Sequence, residues 1–571
     1  MIPFIKRYHA LLVILVVYAW AVYSVISYRV AESPPGTISL RIGHWQLETG
    51  VRDGLNEMAR EYQKLHPNVR IIQDAVPESV YGQWLSTQIM GGTAPDLLQI
   101  GMIPYQVSLA FFNRYCLVLT PYVNKPNPYN ANNELAAVPL RNTLKDGMAS
   151  TYINELQEFM QIPLSAFATR IFYNQDLLEK VNGTGTPPAT FEEFEAVCTK
   201  ATTMTDPEGR PLVPIVGSKY HFGMWTSGMA ETLTYRLMER ADFNRDGYVG
   251  NDELYAAVKS GMLSFESPRI TAYFKMMRRI ADFCQSGFTG LTRDDGVLLF
   301  AQKRALFMTT GTWDARSLQE QAKGKFTVKV MNFPIPGKDN PIFGPVVAGP
   351  RYENPGVGFA FAVTRTSKHP EVALDFLLFL AGKENNERLN KIIGWIPAVV
   401  NTDMDPLLKD FKPCFEGVYG NFNPNLGGET WIHWLQLTSL YQVNRDFTFQ
   451  ELASQFEPFY REKGYFDFME QMKDRQRAMG INERFLAGLR GKALNSAERG
   501  EADTAASTWV KYRAQTNERQ VNHEIWFAEE MRMIGDGPQE TEFGPYEYRP
   551  EVLARAREIH RRRQQKQDRQ P

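Results

Sequence analysis

Strand patterns alternate with helix patterns over residues 38–102, and this alternation limits the fold more than any other feature. Alternate residues are apolar in 38–42, which is typical of a strand, and apolar residues recur at helical spacing over 55–65. A second strand, a second helix and the approach to a third strand follow at 69–76, 81–89 and 93–99. Strands joined by helices of this length form parallel βαβ units, so the sequence predicts an α/β fold.

Length, charge and cysteine spacing narrow the class of protein. A chain of 571 residues is too long for one hydrophobic core, so we expect at least two domains. The net charge of −1 provides no overall attraction to nucleic acid. The four cysteines are far apart and form no CxxC pair, which favours buried free thiols over disulfides or metal ligands. They are Cys116, Cys198, Cys284 and Cys414.

An uncharged, mostly apolar run at residues 10–28 follows Lys6 and Arg7. A helix of about 20 such residues can cross a bilayer, and the basic residues before it would keep the N-terminus in the cytoplasm. A cleaved signal peptide is the alternative, but Arg29 interrupts the expected cleavage site. We therefore expect a signal anchor and linker over 1–36, and a membrane-anchored protein in the periplasm or on the outer face of the inner membrane.

Residues 161–198 predict a strand, a turn and a capped helix. The strand is centred on Phe172, and Asn174 begins the turn because its short polar side chain can bond back to the backbone. Thr190 and Glu193 have the spacing of a capping box, which satisfies the free N–H groups at the start of a helix.

Two strings in this stretch, FYNQDLLEK and PPATFEEF, resemble a segment of the family 1 extracellular solute-binding proteins. These are mostly carbohydrate-binding receptors of ABC importers and include the maltose-type receptors. Further similarities follow in the family's order: GTAPDLL, ALFMTTGTW, SKHPEVALDFLLFL and GWIPA. The resemblance covers residues 38 to 400. It implies the two-lobed periplasmic-binding-protein type II fold, in which hinged lobes close on a ligand.

The resemblance also implies a division of the chain. The predicted parts are 1–36 as anchor and linker, 37–165 with 356–392 as the N-lobe, 166–355 with 393–480 as the C-lobe, and 481–571 as a helical C-terminal extension with a basic tail. Segments 446–492 and 503–534 have amphipathic helical patterns without a counterpart in the family.

The candidate ligand residues are chosen by their position in the loops that follow predicted strands. Ligands of parallel sheets lie at the carboxyl ends of the strands, and sugars need aromatic faces beside polar side chains. The candidates are Trp45, Glu48 and Gln99 in the N-lobe, Phe167 beside the hinge, and Trp225, Trp313 and Trp395 in the C-lobe. A lone Trp is more often a core residue, but Trp313 and Trp395 match family positions that often face sugar.

The segment 242–253, DFNRDGYVGNDE, matches the loop of an EF-hand. Its candidate Ca²⁺ ligands are Asp242, Asn244, Asp246, Tyr248 and Glu253. Alternate oxygen ligands can wrap a hard cation, and Gly247 allows the sharp turn. The alternative is a solvated acidic turn. A single evident loop favours a structural calcium clip over a sensor, because sensor EF-hands usually work in pairs.

No sequence motif of catalysis stands out: GxSxG and HExxH are absent, and the eight histidines are scattered. We therefore predict a non-enzymatic, extracytoplasmic substrate-binding component of an ABC importer. Its expected partners are a carbohydrate, the ABC permease subunits and the membrane, but not nucleic acid. A receptor of the same fold that feeds a sensor or a surface complex is the first alternative. An exported polysaccharide-active enzyme is the second.

Overall fold

The predicted strand–helix alternation is present where the described chain begins. In the computed structural model, β1 (Ile38–His44) pairs in parallel with β2 (Val69–Ala75), and α1 (Val51–Leu65) connects them. The structure describes residues 20, 36–48, 50–153, 156, 158–206, 208–243, 249–353, 356–411, 414, 417–418, 422–519, 534–535 and 558.

The other strands and helices have the following bounds. The strands are β3 (Leu97–Leu98), β4 (Tyr152–Ile153), β5 (Glu158–Phe159), β6 (Ile162–Phe167), β7 (Thr169–Asn174), β8 (Val213–Ile215), β9 (Ala305–Gly311), β10 (Val328–Met331), β11 (Gly356–Val363) and β12 (Ile396–Pro397). The helices are α2 (Glu78–Met90), α3 (Tyr105–Tyr115), α4 (Thr120–Val123), α5 (Gln175–Asn182), α6 (Phe191–Ala201), α7 (Lys219–Ala241), α8 (Asn251–Lys259), α9 (Pro268–Asp282), α10 (Arg293–Ala301), α11 (Ala315–Ala322), α12 (Pro370–Leu380), α13 (Lys383–Ile393), α14 (Pro406–Lys409), α15 (Gly428–Val443), α16 (Phe449–Glu498) and α17 (Ala502–Arg519).

Six of the described strands form one sheet, in the order β12-β6-β11-β3-β1-β2. β1 is parallel to both of its neighbours, whereas β11 and β12 run antiparallel to β6. Helices α1, α12 and α13 pack together beside this sheet, and Tyr62 of α1 contacts the rings of Phe376 and Phe379 at 4.9 and 5.3 Å between centroids. We call this body, residues 36–167 and 356–400, lobe 1.

A second sheet of four described strands has the order β10-β7-β9-β8. β7 is antiparallel to β9 and β10, and β8 is parallel to β9. Helices α6 to α9 and α15 supply most of its core, which is continuous with an aromatic cluster around Phe265, Phe274 and Trp434. We call this body, residues 169–353 and 406–448, lobe 2.

The stretch 161–198 connects the two sheets. β6 ends at Phe167 in lobe 1 and β7 begins at Thr169 in lobe 2, so the chain crosses between the lobes at Ala168. The predicted caps are confirmed: the Asn174 side chain accepts from Leu177 N at 3.1 Å, and Thr190 Oγ1 accepts from Glu193 N at 3.3 Å. Glu193 in turn accepts from the backbone of Ala189, at 2.8 Å, one residue before the position expected for a capping box.

Three chain crossings join the lobes, and an ion pair ties two of them. The crossings are residue 168, the segment 350–356 and the segment 400–406. Arg170, only 2% exposed, donates to both carboxylate oxygens of Glu353 at 2.6 and 2.7 Å. Glu353 also accepts from Cys414 N at 3.2 Å, so the chain after the third crossing meets the same carboxylate.

Three predicted boundaries differ from the structure. The boundary at 165/166 falls inside β6, which continues to Phe167 in lobe 1. Ile396 and Pro397 pair with β6, so they belong to lobe 1 and not to the C-lobe. The reason is Gly394, which ends α13 in the left-handed conformation at φ 81° and turns the chain back onto the first sheet. The boundary at 480/481 is also wrong, because α16 continues through it as one helix.

The C-terminal hairpin, α16 and α17, confirms the helical patterns predicted there as far as residue 519. α16 begins with a capping box: Thr448 Oγ1 accepts from Glu451 N at 3.2 Å, and Glu451 accepts from Thr448 N at 2.7 Å. The chain then turns through Gly500, at φ 75°, and α17 packs back on α16.

The predicted signal anchor, residues 10–28, lies outside the described residues except for Trp20. Within the part of the chain that the structure describes, no helix is both long and apolar enough to span a membrane.

Candidate functional site

The carboxyl ends of β1 and β3 bring Trp45 and Gln99 together on lobe 1. These strands are parallel neighbours, with Ile42 opposite Leu97, so the residues that follow them lie at one edge of the sheet. The Trp45 ring packs against Tyr81 with 5.1 Å between centroids. It also lies over Gly101, where a Cβ atom would come within 2.6 Å of the indole. Trp45 is therefore fixed as one wall of this edge.

A buried amide connects the polar groups at the same edge. Gln46 is oriented so that its oxygen accepts from Trp45 Nε1 at 3.1 Å and from Gln99 Nε2 at 3.0 Å. Its nitrogen then donates to Glu48 Oε2 at 3.1 Å. The three predicted lobe 1 residues thus form one network through Gln46.

Glu48 faces charged groups of lobe 2. Burial raises the pKa of the Glu48 carboxyl, while the charge of Arg293 acts to lower it and that of Asp314 to raise it. Arg293 and Asp314 belong to lobe 2, so Glu48 lies in a cleft between the lobes.

The lobe 2 side of the cleft is a cluster around Arg293, the first residue of α10. Its guanidinium pairs with the Asp314 carboxylate and lies over the Tyr220 ring, 5.3 Å from the centroid. Burial acts to lower the pKa of Arg293, but Asp314, Tyr220 and Glu48 together outweigh it, so the pKa is raised. Trp313 Nε1 donates to Tyr220 Oη at 2.9 Å, and Thr310 Oγ1 donates to Asp314 at 2.5 Å.

Three aromatic residues meet where the lobes join. The ring of Phe167, at the end of β6, lies 6.0 Å from Trp313 and 4.9 Å from Trp395 between centroids. The ring also covers Gly358 of β11, where a Cβ atom would come within 2.7 Å of it. Trp395 is 1% exposed, so it supports the base of the cleft through Phe167.

Lobe 2 contains a large cavity that reaches the second crossing between the lobes. Its volume is about 1040 Å³, and Arg351 and Tyr352 of that crossing line it. Helices α7, α9 and α15 form its walls. The aromatic lining residues are Phe222, Tyr273, Phe274, Phe288, Tyr352, Phe422, Trp431, Trp434 and Tyr441. The polar ones are Lys219, Thr226, Ser227, Glu231, Thr289, Arg351, Asn423, Thr438, Ser439 and Gln442.

Glu231 is the buried acid of this cavity. Burial raises the pKa of its carboxyl, and Arg351, whose Nε lies 3.5 Å from Glu231 Oε1, acts to lower it. The cavity thus combines broad aromatic surfaces with a few polar groups, as ligand pockets commonly do.

Comparison with known proteins assigns the family. The profile described as "Bacterial extracellular solute-binding protein" matches residues 57–412. This chain belongs to that family. The resemblance seen in the sequence is thereby confirmed, and family membership implies a location outside the cytoplasm.

Individual relatives are distant. A protein of Brucella abortus (strain 2308), named as a binding protein, is 24% identical over 379 residues, which are 64% of this chain and 77% of the relative. The sugar-binding protein MalE of Xanthomonas citri is 14% identical with a TM-score of 0.51, and the match covers 77% of this chain and 99% of MalE. The GacH receptor of Streptomyces glaucescens is 14% identical with a TM-score of 0.52, covering 74% of this chain and 98% of GacH. The two structures establish the two-lobed fold of a solute-binding protein, and neither is an enzyme.

The predicted ligand residues of this solute-binding protein fall into three groups. Trp45, Glu48 and Gln99 share the network of lobe 1. Phe167, Trp313 and Trp395 meet at the base of the cleft, although Trp395 exposes almost no surface to a ligand. Trp225 is separate from both groups.

Trp225 is a core residue, which corrects its assignment to the ligand site. It is 0% exposed and packs between Phe194 and Phe333, at 5.2 and 5.4 Å between ring centroids. A loop position was expected for Trp225, but it lies within α7, which turns this side chain toward Phe194 and Phe333 and presents Phe222 and Thr226 to the cavity.

Sequence reasoning missed several groups of the site. They are Gln46, Tyr220, Arg293 and Asp314 in the cleft, and Glu231, Tyr273, Arg351, Trp431 and Trp434 in the cavity. Two signals were available: Thr292 and Asp295 have the spacing of a capping box that places Arg293 at a helix start, and TWIHWLQL carries two Trp residues on one helix.

The predicted calcium loop is described only at its ends. Asn244, Asp246 and Tyr248 lie outside the described residues, and no group of three or more His, Cys, Asp or Glu side chains in the described part could hold a metal. Glu253 Oε1 accepts from Phe243 N at 3.0 Å and Oε2 from Gly250 N at 2.9 Å. The carboxylate predicted to close the loop thus accepts hydrogen bonds from the backbone at the second and ninth positions of the loop.

Proposed function

We propose that this solute-binding protein is the receptor of an ABC importer and binds a sugar or oligosaccharide between its lobes. The observation that carries the proposal is the aromatic-walled cavity of lobe 2, which reaches the second crossing at Arg351 and Tyr352, together with the polar network of lobe 1. Trp and Tyr rings suit the apolar faces of sugar rings, and amides and carboxylates suit their hydroxyl groups.

The charges of the site favour an uncharged ligand. Its basic side chains are matched in number by acidic ones, and the two ion pairs, Arg293 with Asp314 and Arg351 with Glu231, leave little net field for an ion. Lys219 of the cavity and Glu48 of the cleft lie outside these ion pairs, and their charges have opposite signs. A neutral polyhydroxylated molecule fits this balance better than an amino acid, a phosphate or a metal complex.

A thermal-shift titration with a panel of neutral oligosaccharides tests the proposal. At a ligand concentration of 100 times Kd, binding adds about 2.7 kcal/mol to the free energy of unfolding. For a lobe of about 150–250 residues, each kcal/mol raises Tm by about 2–4 °C. If no neutral oligosaccharide shifts Tm while a charged solute does, the sugar proposal fails.

A pair of neighbouring substitutions on α15 locates the binding surface. Trp431→Ala removes an aromatic wall of the cavity and should abolish the ligand-dependent shift. Ile432→Ala, at a side chain that is 57% exposed, should leave the shift unchanged. Equal ligand-dependent shifts of Tm in both variants would show that the ligand binds outside this cavity.

We propose in addition that residues 10–28 anchor the protein to the membrane beside the permease subunits of the importer, and that 242–253 bind a structural Ca²⁺ ion. Asp242, Asn244, Asp246 and Glu253 would hold the ion through oxygen atoms, with Tyr248 at the seventh position of the loop. Fractionation of wild type and a variant lacking 10–28 tests the anchor, which is refuted if both remain in the membrane fraction or both are soluble.

Melting in Ca²⁺ and in chelator tests the metal. Wild type should melt at a higher temperature in Ca²⁺, and Glu253→Gln should lose this difference. Because Glu253 also caps α8, the comparison is between the two buffers for each protein and not between the absolute Tm values. A wild type that melts identically in both buffers refutes the calcium site.

A further inference from the structure

The C-terminal hairpin contacts both lobes, although it lies beyond the region that matches the family. The family match ends at residue 412, whereas α16 begins at Phe449. α16 has 50 residues, and a helix of that length extends over about 75 Å. The hairpin is thus long enough to reach from one lobe to the other.

The first half of α16 is firmly held by lobe 2. Phe456 and Tyr460 are fully buried in its core. The Glu457 carboxylate accepts from Phe265 N at 2.9 Å and from Ser264 Oγ at 2.8 Å. Asp467, nearly three turns after Glu457, accepts from the backbone and hydroxyl of Thr430 at 2.8 and 2.6 Å.

The far end of the hairpin contacts lobe 1 through a residue of α16 and a residue of α17. Phe485 of α16 packs against a cluster of lobe 1 that includes Leu109, Phe112 and Met160. Lys511 of α17 pairs with the Glu158 carboxylate of β5, where the side chains are 29% and 13% exposed. A packed ring and an ion pair thus hold this end of the hairpin against lobe 1.

We propose that the C-terminal hairpin is a clasp between the lobes, with the Phe485 and Lys511 contact as its releasable end. The three chain crossings permit rotation of one lobe relative to the other. The hairpin adds a noncovalent connection, and rotation of lobe 1 must break its contact or bend a helix fixed in lobe 2. The clasp favours the orientation of the lobes seen here. The effect of the clasp on ligand binding depends on the proposed function, but the existence of the clasp does not.

Distance measurements between the lobes test the clasp. Spin labels introduced as non-canonical amino acids at Met102 in lobe 1 and Leu298 in lobe 2, which are 45% and 55% exposed, report the orientation in the full-length protein without ligand. Electron–electron double resonance of the otherwise unchanged chain should give one narrow distance distribution. Phe485→Ala combined with Lys511→Glu should add a second population, with the ratio of the two changed by about tenfold, equivalent to 1.4 kcal/mol.

Matched variants separate the clasp from general effects on the hairpin. Leu494→Ala and Lys492→Glu change an exposed apolar and an exposed basic residue of the same helix, and should leave the distribution narrow. Lys511→Glu with Glu158→Lys reverses the ion pair and should restore much of the narrow population that Lys511→Glu alone loses. Circular dichroism verifies that each variant retains its helices.

The outcomes distinguish the clasp from the proposed function. If the Phe485→Ala, Lys511→Glu protein is folded and its distance distribution equals that of the parent, the clasp is refuted even where sugars bind. If the distribution broadens as expected but no oligosaccharide binds either protein, the clasp stands and the sugar proposal fails.

Discussion

Removing the charge of Glu353 should destabilise the protein more than any surface substitution. Arg170 follows the first crossing between the lobes, and Glu353 lies in the second crossing. Their ion pair therefore fixes two hinge segments to each other. Arg170 is 2% exposed, and both of its pairing nitrogens face the Glu353 carboxylate. Glu353→Gln keeps the size of the side chain but removes the carboxylate charge that two nitrogens of the buried guanidinium face.

The size of the effect follows from this burial. Removing one partner of a buried ion pair costs about 3–5 kcal/mol, because the other charge stays buried and uncompensated. The Glu353 side chain is 21% exposed, which allows some water to reach the pair, so we expect the lower end, about 3 kcal/mol. Arg170→Met combined with Glu353→Gln removes both charges and should cost at least 1 kcal/mol less than Glu353→Gln alone, roughly the coupling seen for contacting residues.

Urea unfolding followed by far-UV circular dichroism measures these free energies, with each transition fitted separately if the lobes unfold in two steps. Glu208→Gln is the control, since Glu208 pairs with Arg210 on the surface, where the side chains are 60% and 45% exposed. That change should cost less than about 1 kcal/mol. A Glu353→Gln cost no greater than that of the control, or a double variant less stable than the single one, would refute the role assigned to the pair.

Two further predictions concern lobe 1. Burial lowers the pKa of Lys145 to about 8, and its ammonium donates to Pro397 O at 2.7 Å. Between that pH and the ordinary lysine pKa of 10.5, the unfolded chain binds more protons than the native one, so the free energy of unfolding should rise with pH over this window. Lys145→Met should remove that rise, measured by urea unfolding at several pH values, and an unchanged slope would contradict it. Gly101→Ala places a Cβ atom 2.6 Å from the Trp45 ring and should weaken oligosaccharide binding about tenfold, or 1.4 kcal/mol, in calorimetric titration. Gly488→Ala, with open space around its Cβ position, is the control, and equal affinities would show that Trp45 does not contact the ligand.

The sequence allowed the lobe 1 half of the site to be predicted because strand ends are local features. Once β1 and β3 are parallel neighbours, the residues after each of them must share one edge of the sheet. Trp45, Glu48 and Gln99 follow from that rule without knowledge of any other contact. The capped turn after β7 is local in the same way, since Asn174 and Thr190 bond to backbone N–H groups three residues away.

The lobe 2 half depends on contacts between distant segments, which a single sequence does not display. The cavity combines α7, α9 and α15, whose lining residues extend from Lys219 to Gln442 in the sequence. Which face of α7 meets the sheet depends on Phe194 and Phe333, and this contact decides that Trp225 is core while Phe222 lines the cavity. Likewise, the sequence alone does not show that the far end of α16 packs against lobe 1 beside Phe112.

The hinge pair and the hairpin act on different parts of the same motion. Arg170 and Glu353 hold the first and second crossings together, so these two segments must turn as one unit. The chain after the third crossing, 400–406, joins the same unit, because Tyr352 N donates to Val418 O and Glu353 N donates to Cys414 O, each at 2.7 Å. A rotation that keeps these bonds leaves the buried guanidinium paired and acts on the Phe485 and Lys511 end of the hairpin. We therefore expect opening of the lobes to break the Phe485 and Lys511 contact while the ion pair of the hinge stays intact.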